Sequence, residues 1–317
     1  MILPRIALTW LAAVVALSAV EGVGLGLGPA LILVRDVPVG QAFTLGEAAK
    51  VRYQVYNNSN EEATYSLKVV VPSRYAFNIF EKGYEPAPDA SWFRLEREEV
   101  TVPARGRVEV DLTIDIPDRA ELRNRHWIVN IEAGQSDKGK ALVGATLRLS
   151  ARIMLDTVAS DEPGGGEIAL SPSVVIMQAQ ADGSWIGEAR LRNNSTEAAQ
   201  FDLLAAHEVH SAEPDKAHRY FANLNQAVLG ERWAVADAAS IQLAAGAERT
   251  VRFTVPARPA VASLREEVLF VSRRLRGEPK PDLTVTVGGA TYERMELLRL
   301  RYQPAAAVPA PAEPAAR

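Results

Sequence analysis

Apolar and polar residues alternate with a period of two along most of this chain. From Ala49 to Tyr56, Val51, Tyr53 and Val55 alternate with Arg52 and Gln54. From Arg107 to Ile116, Val108, Val110, Leu112, Ile114 and Ile116 alternate with Arg107, Glu109, Asp111, Thr113 and Asp115, and Pro117 stops the run. That period belongs to a strand with one face in a core and one in water. Shorter apolar runs stand at Ala30–Val34, Tyr65–Val71 (closed by Pro72), Trp127–Ile131 and Leu142–Leu155. Short strands separated by turn signals predict an all-β protein built as an antiparallel sandwich.

The order then repeats. The stretch Val55-Tyr56-Asn57-Asn58-Ser59 leads through Tyr65 to Leu67, and Leu191-Arg192-Asn193-Asn194-Ser195 leads through Phe201 to Leu203. Each is a strand end, a polar turn and a strand that begins near an aromatic. Asn and Ser suit such a turn because their short side chains bond nearby backbone. The alternating strand returns as Thr250–Val255, closed by Pro256, and its turn glycine Gly246 matches Gly106. Trp233 stands before Gly246 much as Trp92 stands before Gly106, which assigns both rings to cores. Glu267–Val271 answers Trp127–Ile131, and Leu297–Tyr302 answers Leu147–Ile153. One folding unit was used twice. The expected division is residues 29–157 for the first sandwich, 158–166 for a flexible Gly-rich connector containing Gly164-Gly165-Gly166, and 167–303 for the second.

This ordered pattern resembles the bacterial immunoglobulin-like sandwich modules of surface and periplasmic proteins, the PapD-like accessory sandwiches among them. The resemblance covers both halves and implies two tandem immunoglobulin-like antiparallel β-sandwiches. It encodes a fold and brings no functional residue with it.

Composition narrows the function. The 317 residues carry no cysteine, so disulfides, thiolate zinc sites and cysteine nucleophiles are excluded. The net charge of −4 offers no basis for nucleic-acid binding, which runs on clustered Lys and Arg. Residues 1–28 read as a secretory signal peptide: Arg5, the apolar run Ile6–Val20, then small residues near Ser18, Ala19 and Gly22. An uncleaved N-terminal anchor is the competing reading, because Gly22–Leu33 stays apolar. Only that segment could touch a membrane. Residues 304–317, nearly all Ala and Pro, read as a disordered tail.

Few residues suggest chemistry. His207, His210 and His218 lie near Glu208, Glu213 and Asp215, a spacing that could bind a divalent ion, but no strand pattern holds them and a solvated insertion explains them as well. His126 is assigned to packing or solvent at a strand start. The basic runs Arg119–Arg125 and Arg273-Arg274-Leu275-Arg276 are interleaved with acids and read as surface charge. Asn57-Asn58-Ser59 and Asn193-Asn194-Ser195 match a glycosylation acceptor, but the turn explanation suffices. No Gly-x-Ser-x-Gly, phosphate-cradling loop or His-Glu-x-x-His occurs. No cofactor and no catalytic residue is expected.

Two stretches are candidates for contact with a partner. Tyr75, Phe77, Phe80 and Tyr84 could project from a loop and stack on sugar or protein, or fold inward as a cap. Leu147, Leu149, Ala151, Ile153 and Leu155 alternate on one face of the first half's last strand and could be lent to a client. The expectation is an exported, non-enzymatic structural or binding protein of a bacterial envelope or surface, periplasmic or extracellular, whose partner is another envelope or surface protein. The alternatives are a periplasmic assembly chaperone of PapD type working through that last strand, and a carbohydrate-binding accessory module.

Overall fold

The computed structural model describes residues 13–14, 24–73, 83–136, 148–206, 234–235, 240–255, 265–278, 284–287 and 289–302. Nearly all of them are strand or turn. Tyr75, Phe77, Phe80, Leu147, Trp233, the histidines 207, 210 and 218, and the tail 304–317 lie outside the described residues.

The first module begins with β1 (Ala13–Val14), β2 (Leu25–Gly28), β3 (Leu31–Val37) and β4 (Phe43–Thr44), then a one-turn helix α1 (Leu45–Ala48). There follow β5 (Tyr53–Asn57), β6 (Ala63–Val70), β7 (Glu85–Pro86), β8 (Phe93–Leu95) and β9 (Glu99–Val102). It ends with β10 (Arg107–Val110), β11 (Leu112–Ile114), β12 (His126–Gln135) and β13 (Arg148–Thr157). One sheet has the order β1-β3-β13-β12-β6-β9, and two small sheets, β10-β5-β2 and β4-β11-β8, oppose it. The module takes in β2, which lies before the boundary expected at Pro29.

The second module contains β14 (Ile168–Ser171), β15 (Val174–Ala179), β16 (Trp185–Asn193), β17 (Ala199–Ala206) and β18 (Ala234–Val235). Then come β19 (Ser240–Leu243), β20 (Glu248–Val255), β21 (Arg265–Arg274), β22 (Val285–Val287) and β23 (Ala290–Tyr302). Its strands run β18-β20-β16-β15-β23-β21-β17-β19, a single path that folds over because β15 pairs with both β16 and β23.

Each module has its own core. The first runs from Leu25 to Leu155 and includes Trp92 against Trp127, ring centroids 5.4 Å apart. The second runs from Ile168 to Tyr302 and includes Trp185 against Tyr302, also 5.4 Å apart. Alternation is what buries them: β5 and β16 hide every second residue. Both modules also begin alike. β2 pairs antiparallel with β5, the chain crosses at Pro29, and β3 pairs parallel with β13. In the second, β14 pairs antiparallel with β16, the chain crosses at Pro172, and β15 pairs parallel with β23. Two antiparallel sandwiches were expected; the switching first strand adds a parallel pair to each, and β7 pairs parallel with β12 in the first.

The repeated Asn is a core residue. Asn57 is fully buried and its amide nitrogen donates to the carbonyls of Glu61 (2.7 Å), Val102 (3.0 Å) and Pro103 (3.2 Å). Its oxygen accepts from Ser59 N (3.0 Å), Ser59 Oγ (2.6 Å) and Tyr65 Oη (3.2 Å). Asn193, fully buried too, donates to Glu197 (2.8 Å), Leu243 (3.3 Å) and Ala244 (3.1 Å), and accepts from Ser195 N (3.1 Å) and Ser195 Oγ (2.6 Å). The side chain thus ties its own turn to a strand arriving from far along the chain. The same bonds correct the turn alignment. Pro103 corresponds to Ala244, so Gly246 (φ 69°) matches Arg105 (φ 56°), not Gly106. Both occupy the left-handed region.

Removing a buried donor that serves such carbonyls leaves them unsatisfied, at roughly 1–3 kcal/mol for each group. Asn57→Ala should lower the unfolding free energy in urea by about 3 kcal/mol, and Asn57→Asp by more, since a carboxylate would face carbonyl oxygens. Asn193 should behave alike. A near-neutral Asn57→Asp would remove the side chain from its structural role.

Candidate functional site

Three strands of the first module are apolar on both faces. Alternation sends Ile32, Val129, Ile131, Ile153 and Leu155 into the first core, and it sends Leu33, Ile128 and Met154 the other way. The register places those three in one row across β3, β13 and β12, since Met154 pairs with both Leu33 and Ile128. In the second module Leu204, Phe270 and Leu297 form the matching row across β17, β21 and β23. The two rows share one buried cluster with Tyr84 and Tyr292. At ~1.5–3 kcal/mol for each fully buried large apolar side chain, this contact supplies most of the force that docks the modules. Gly83 (φ 85°) lets its loop lie on Leu297 and Phe270, where a Cβ would come within 3.0 Å of each.

Beside the apolar rows lies a buried polar group that crosses between modules. Asp156 Oδ1 accepts from Tyr84 Oη (2.8 Å) and His126 Nδ1 (2.7 Å). Its Oδ2 accepts from Arg299 Nε (3.0 Å) and Nη2 (2.8 Å), and Arg299 Nη2 also reaches Tyr84 Oη (3.1 Å). Asp156 and Arg299 side chains are 4% and 1% exposed, so each needs the other. Burial alone would raise the Asp156 carboxyl, but Arg299 and then His126 outweigh it and hold the group well below the usual carboxylate range. Burial, then Asp156, pushes the Tyr84 hydroxyl far upward. The His126 ring meets Tyr84 edge-on, and its Nε2 has no hydrogen-bond partner among the described residues.

The connector is strapped down instead of free. Asn124 (φ 57°) donates to Ser160 O (2.8 Å) and Glu162 O (3.1 Å) and accepts from Ser160 N (2.8 Å) and Ser173 N (3.0 Å). Arg125 pairs with Glu85 (2.6 Å) and Glu296 (3.8 Å) and donates to Gly165 O (2.5 Å). The glycines serve close approach: a Cβ on Gly165 would lie 2.7 Å from Glu121 O, and one on Gly166 2.3 Å from Arg125 Nη1. Arg125 is therefore a buried hub, where surface charge was expected. Arg123 and Arg273 are paired with acids as well.

The candidate partner residues fall in different places. Tyr84 is buried between the modules. Ile153 is fully buried in the first core and Leu149 is half-buried against it, as are Ala151 and Leu155 buried in it. Their row faces inward, so β13 can offer a partner its backbone edge but not these side chains. That edge is half covered. β13 pairs with β12 from Arg148 to Asp156, but with β3 only from Arg152 onward. Arg152 N donates to Ala30 O (2.7 Å) on the β3 side. Strand alternation turns the N–H and C=O of Arg148 and Ser150 to that same side, where they have no ladder partner among the described residues. The edge opens because the chain leaves for the opposite sheet at Pro29. Neither Asp156 nor Arg299 was singled out from sequence. Their signal is a charge among apolar neighbours, as in Leu297-Leu298-Arg299-Leu300. Among the described residues no group of His, Asp and Glu could hold a metal ion, and no helix is long and apolar enough to cross a membrane.

Removing one partner of a buried ion pair costs about 3–5 kcal/mol. Arg299→Met should cost that much in urea unfolding, and adding Asp156→Asn should recover most of it. The pH dependence follows from the depressed Asp156 carboxyl. Its contribution is complete above the unfolded aspartate value of about 3.9 and is lost as pH falls below it, through the folded value. Urea midpoints should therefore hold from pH 8 to 5 and fall in acid, less steeply in Asp156→Asn. A midpoint insensitive to acid would contradict this.

No family model matches the chain, and no curated protein does. Solved structures resemble it in fold. One described as a chaperone–tip adhesin complex of CFA/I fimbriae biogenesis is 12% identical, with 89% of this chain and 100% of that chain covered and a TM-score of 0.30. The E. coli chaperone DraB is 10% identical over 87% of this chain and 96% of its own, TM-score 0.28. PapD-like domain 7 of human CEP192 is 12% identical over 49% of this chain and 98% of its own, TM-score 0.32. The two sandwiches in tandem rest on the chain's own strand order and its two separate cores.

Proposed function

We propose that this is an exported, non-enzymatic protein of a bacterial envelope that holds another envelope or surface protein by strand addition, in the manner of an assembly chaperone of PapD type. The observation that carries it is the ladder that stops at Arg152, leaving the Arg148 and Ser150 backbone groups facing outward. Unpaired N–H and C=O groups on an edge are a template for another strand. The inward row Leu149, Ala151 and Ile153 keeps the donor strand in place while its edge is used. The docked modules support this reading, because a strand held between a core and a second domain presents its edge in one fixed orientation. Export rests on the N-terminal apolar run. A structural envelope component with no strand client is the second reading, favoured by the same clamped contact. Burial of Tyr84 gives no support to sugar stacking.

The test is Ser150→Pro. The Ser150 N–H points away from β12, so proline there removes no ladder bond of the fold but blocks an added strand. A photoreactive residue at position 148 should crosslink one partner in the envelope of producing cells. Ser150→Pro should cut that yield more than tenfold and leave the urea midpoint nearly unchanged. Equal yields from both proteins would sink strand addition at this edge.

A further inference from the structure

The far side of β3 is also a sheet edge, and it is not bare. Ala13 pairs with Leu33 and Val14 with Ile32, antiparallel. These two residues belong to the apolar run Ile6–Val20. β3 itself reads Leu-Ile-Leu-Val through position 34 and turns aside at Asp36 (φ 55°), where its register against β13 shifts. Ala30 accepts from Arg152 on the β13 side, so alternation turns the backbone groups of Leu31 and Leu33 outward, toward the N-terminal segment. A flat apolar edge of this kind pairs with other strands unless something covers it. Here the cover is Ala13–Val14.

We propose that the outer edge of β3 is a second protein-binding edge, closed by Ala13–Val14 in the full chain and opened to an apolar, antiparallel strand of a partner protein once the N-terminal run is removed. This rests on the reading that the run is removed on export. Before removal the chain covers its own edge; afterwards the edge keeps the geometry that already accommodates an apolar strand. The partner's strand would bind mainly through backbone, because the Leu33 side chain is committed to the contact between modules.

The experiment compares the full chain, a chain beginning at Gly24, and the full chain carrying Ala13→Pro and Val14→Pro. Both cores start at or after Leu25, so the shorter chain keeps every core residue named above. Amide exchange over 31–34 should be at least tenfold faster in the shorter chain and in the proline variant, with exchange across β12 unchanged as the control for folding. A synthetic peptide of residues 10–18 with a lysine tail should restore protection to the shorter chain, and its N-methylated counterpart should not. Equal exchange in all three proteins would overturn the cap. Failure of the peptide to protect 31–34 would overturn the acceptor edge. A dimer of the shorter chain in sedimentation would make the edge a contact between copies and remove the partner strand. Sequencing the N-terminus of the exported protein separates the two readings: retention of residues 1–23 refutes removal on export, whatever the edge binds. Ser150→Pro should leave the peptide's effect intact.

Discussion

The structure depends on the burial of both faces of β3, β13 and β12. One face fills the first core and the other lies against the second module. Apolar rows supply the free energy, and the Asp156–Arg299 pair supplies the orientation. A charge pair that is almost fully buried tolerates little displacement, because each partner alone would be an unpaired charge in a dry contact. The apolar rows could slide by a residue; the ion pair with Tyr84 and His126 could not. The two sandwiches are therefore docked on each other, and the short connector is fastened by Asn124 and Arg125.

Duplication explains the rest of the architecture. Asn57 and Asn193 make matching bonds to their own turn and to a distant strand, and the first strand of each module switches sheets at the same place. The outer faces match as well. The first module turned the outside of its last strands apolar toward its neighbour, and the second did the same with β17, β21 and β23. Tyr65, whose hydroxyl completes the Asn57 group, is matched by Phe201 in the second module, which does without that bond.

A strand that switches sheets leaves edges behind. Because β3 joins β13 only from Arg152, the start of β13 has no partner on that side among the described residues. Because β3 is the last full strand of its sheet, its own far side is also an edge, and Ala13–Val14 lies on it. Sandwich proteins manage such edges by covering or using them. Both edges belong to strands, β3 and β13, that also carry the row packed on the second module through Leu33 and Met154.

Period-two alternation, proline stops and the repeated Asn-Asn-Ser turn were enough to read an all-β chain made of one module used twice, because burial of alternate residues is a local consequence of strand geometry. The apolar runs at Trp127–Ile131 and Leu142–Leu155 were visible too, but not that both of their faces are covered, nor by what. Only the tertiary structure decided that Leu149 and Ile153 serve their own core, that Tyr84 lies between modules, that Gly165 and Gly166 are there for close packing, and that Arg105 and not Gly106 matches Gly246. Each of these turns on which distant residue a side chain or carbonyl meets. A sequence states the period of a strand; register, and the partner beyond the sheet, arise only when far-separated strands are brought together.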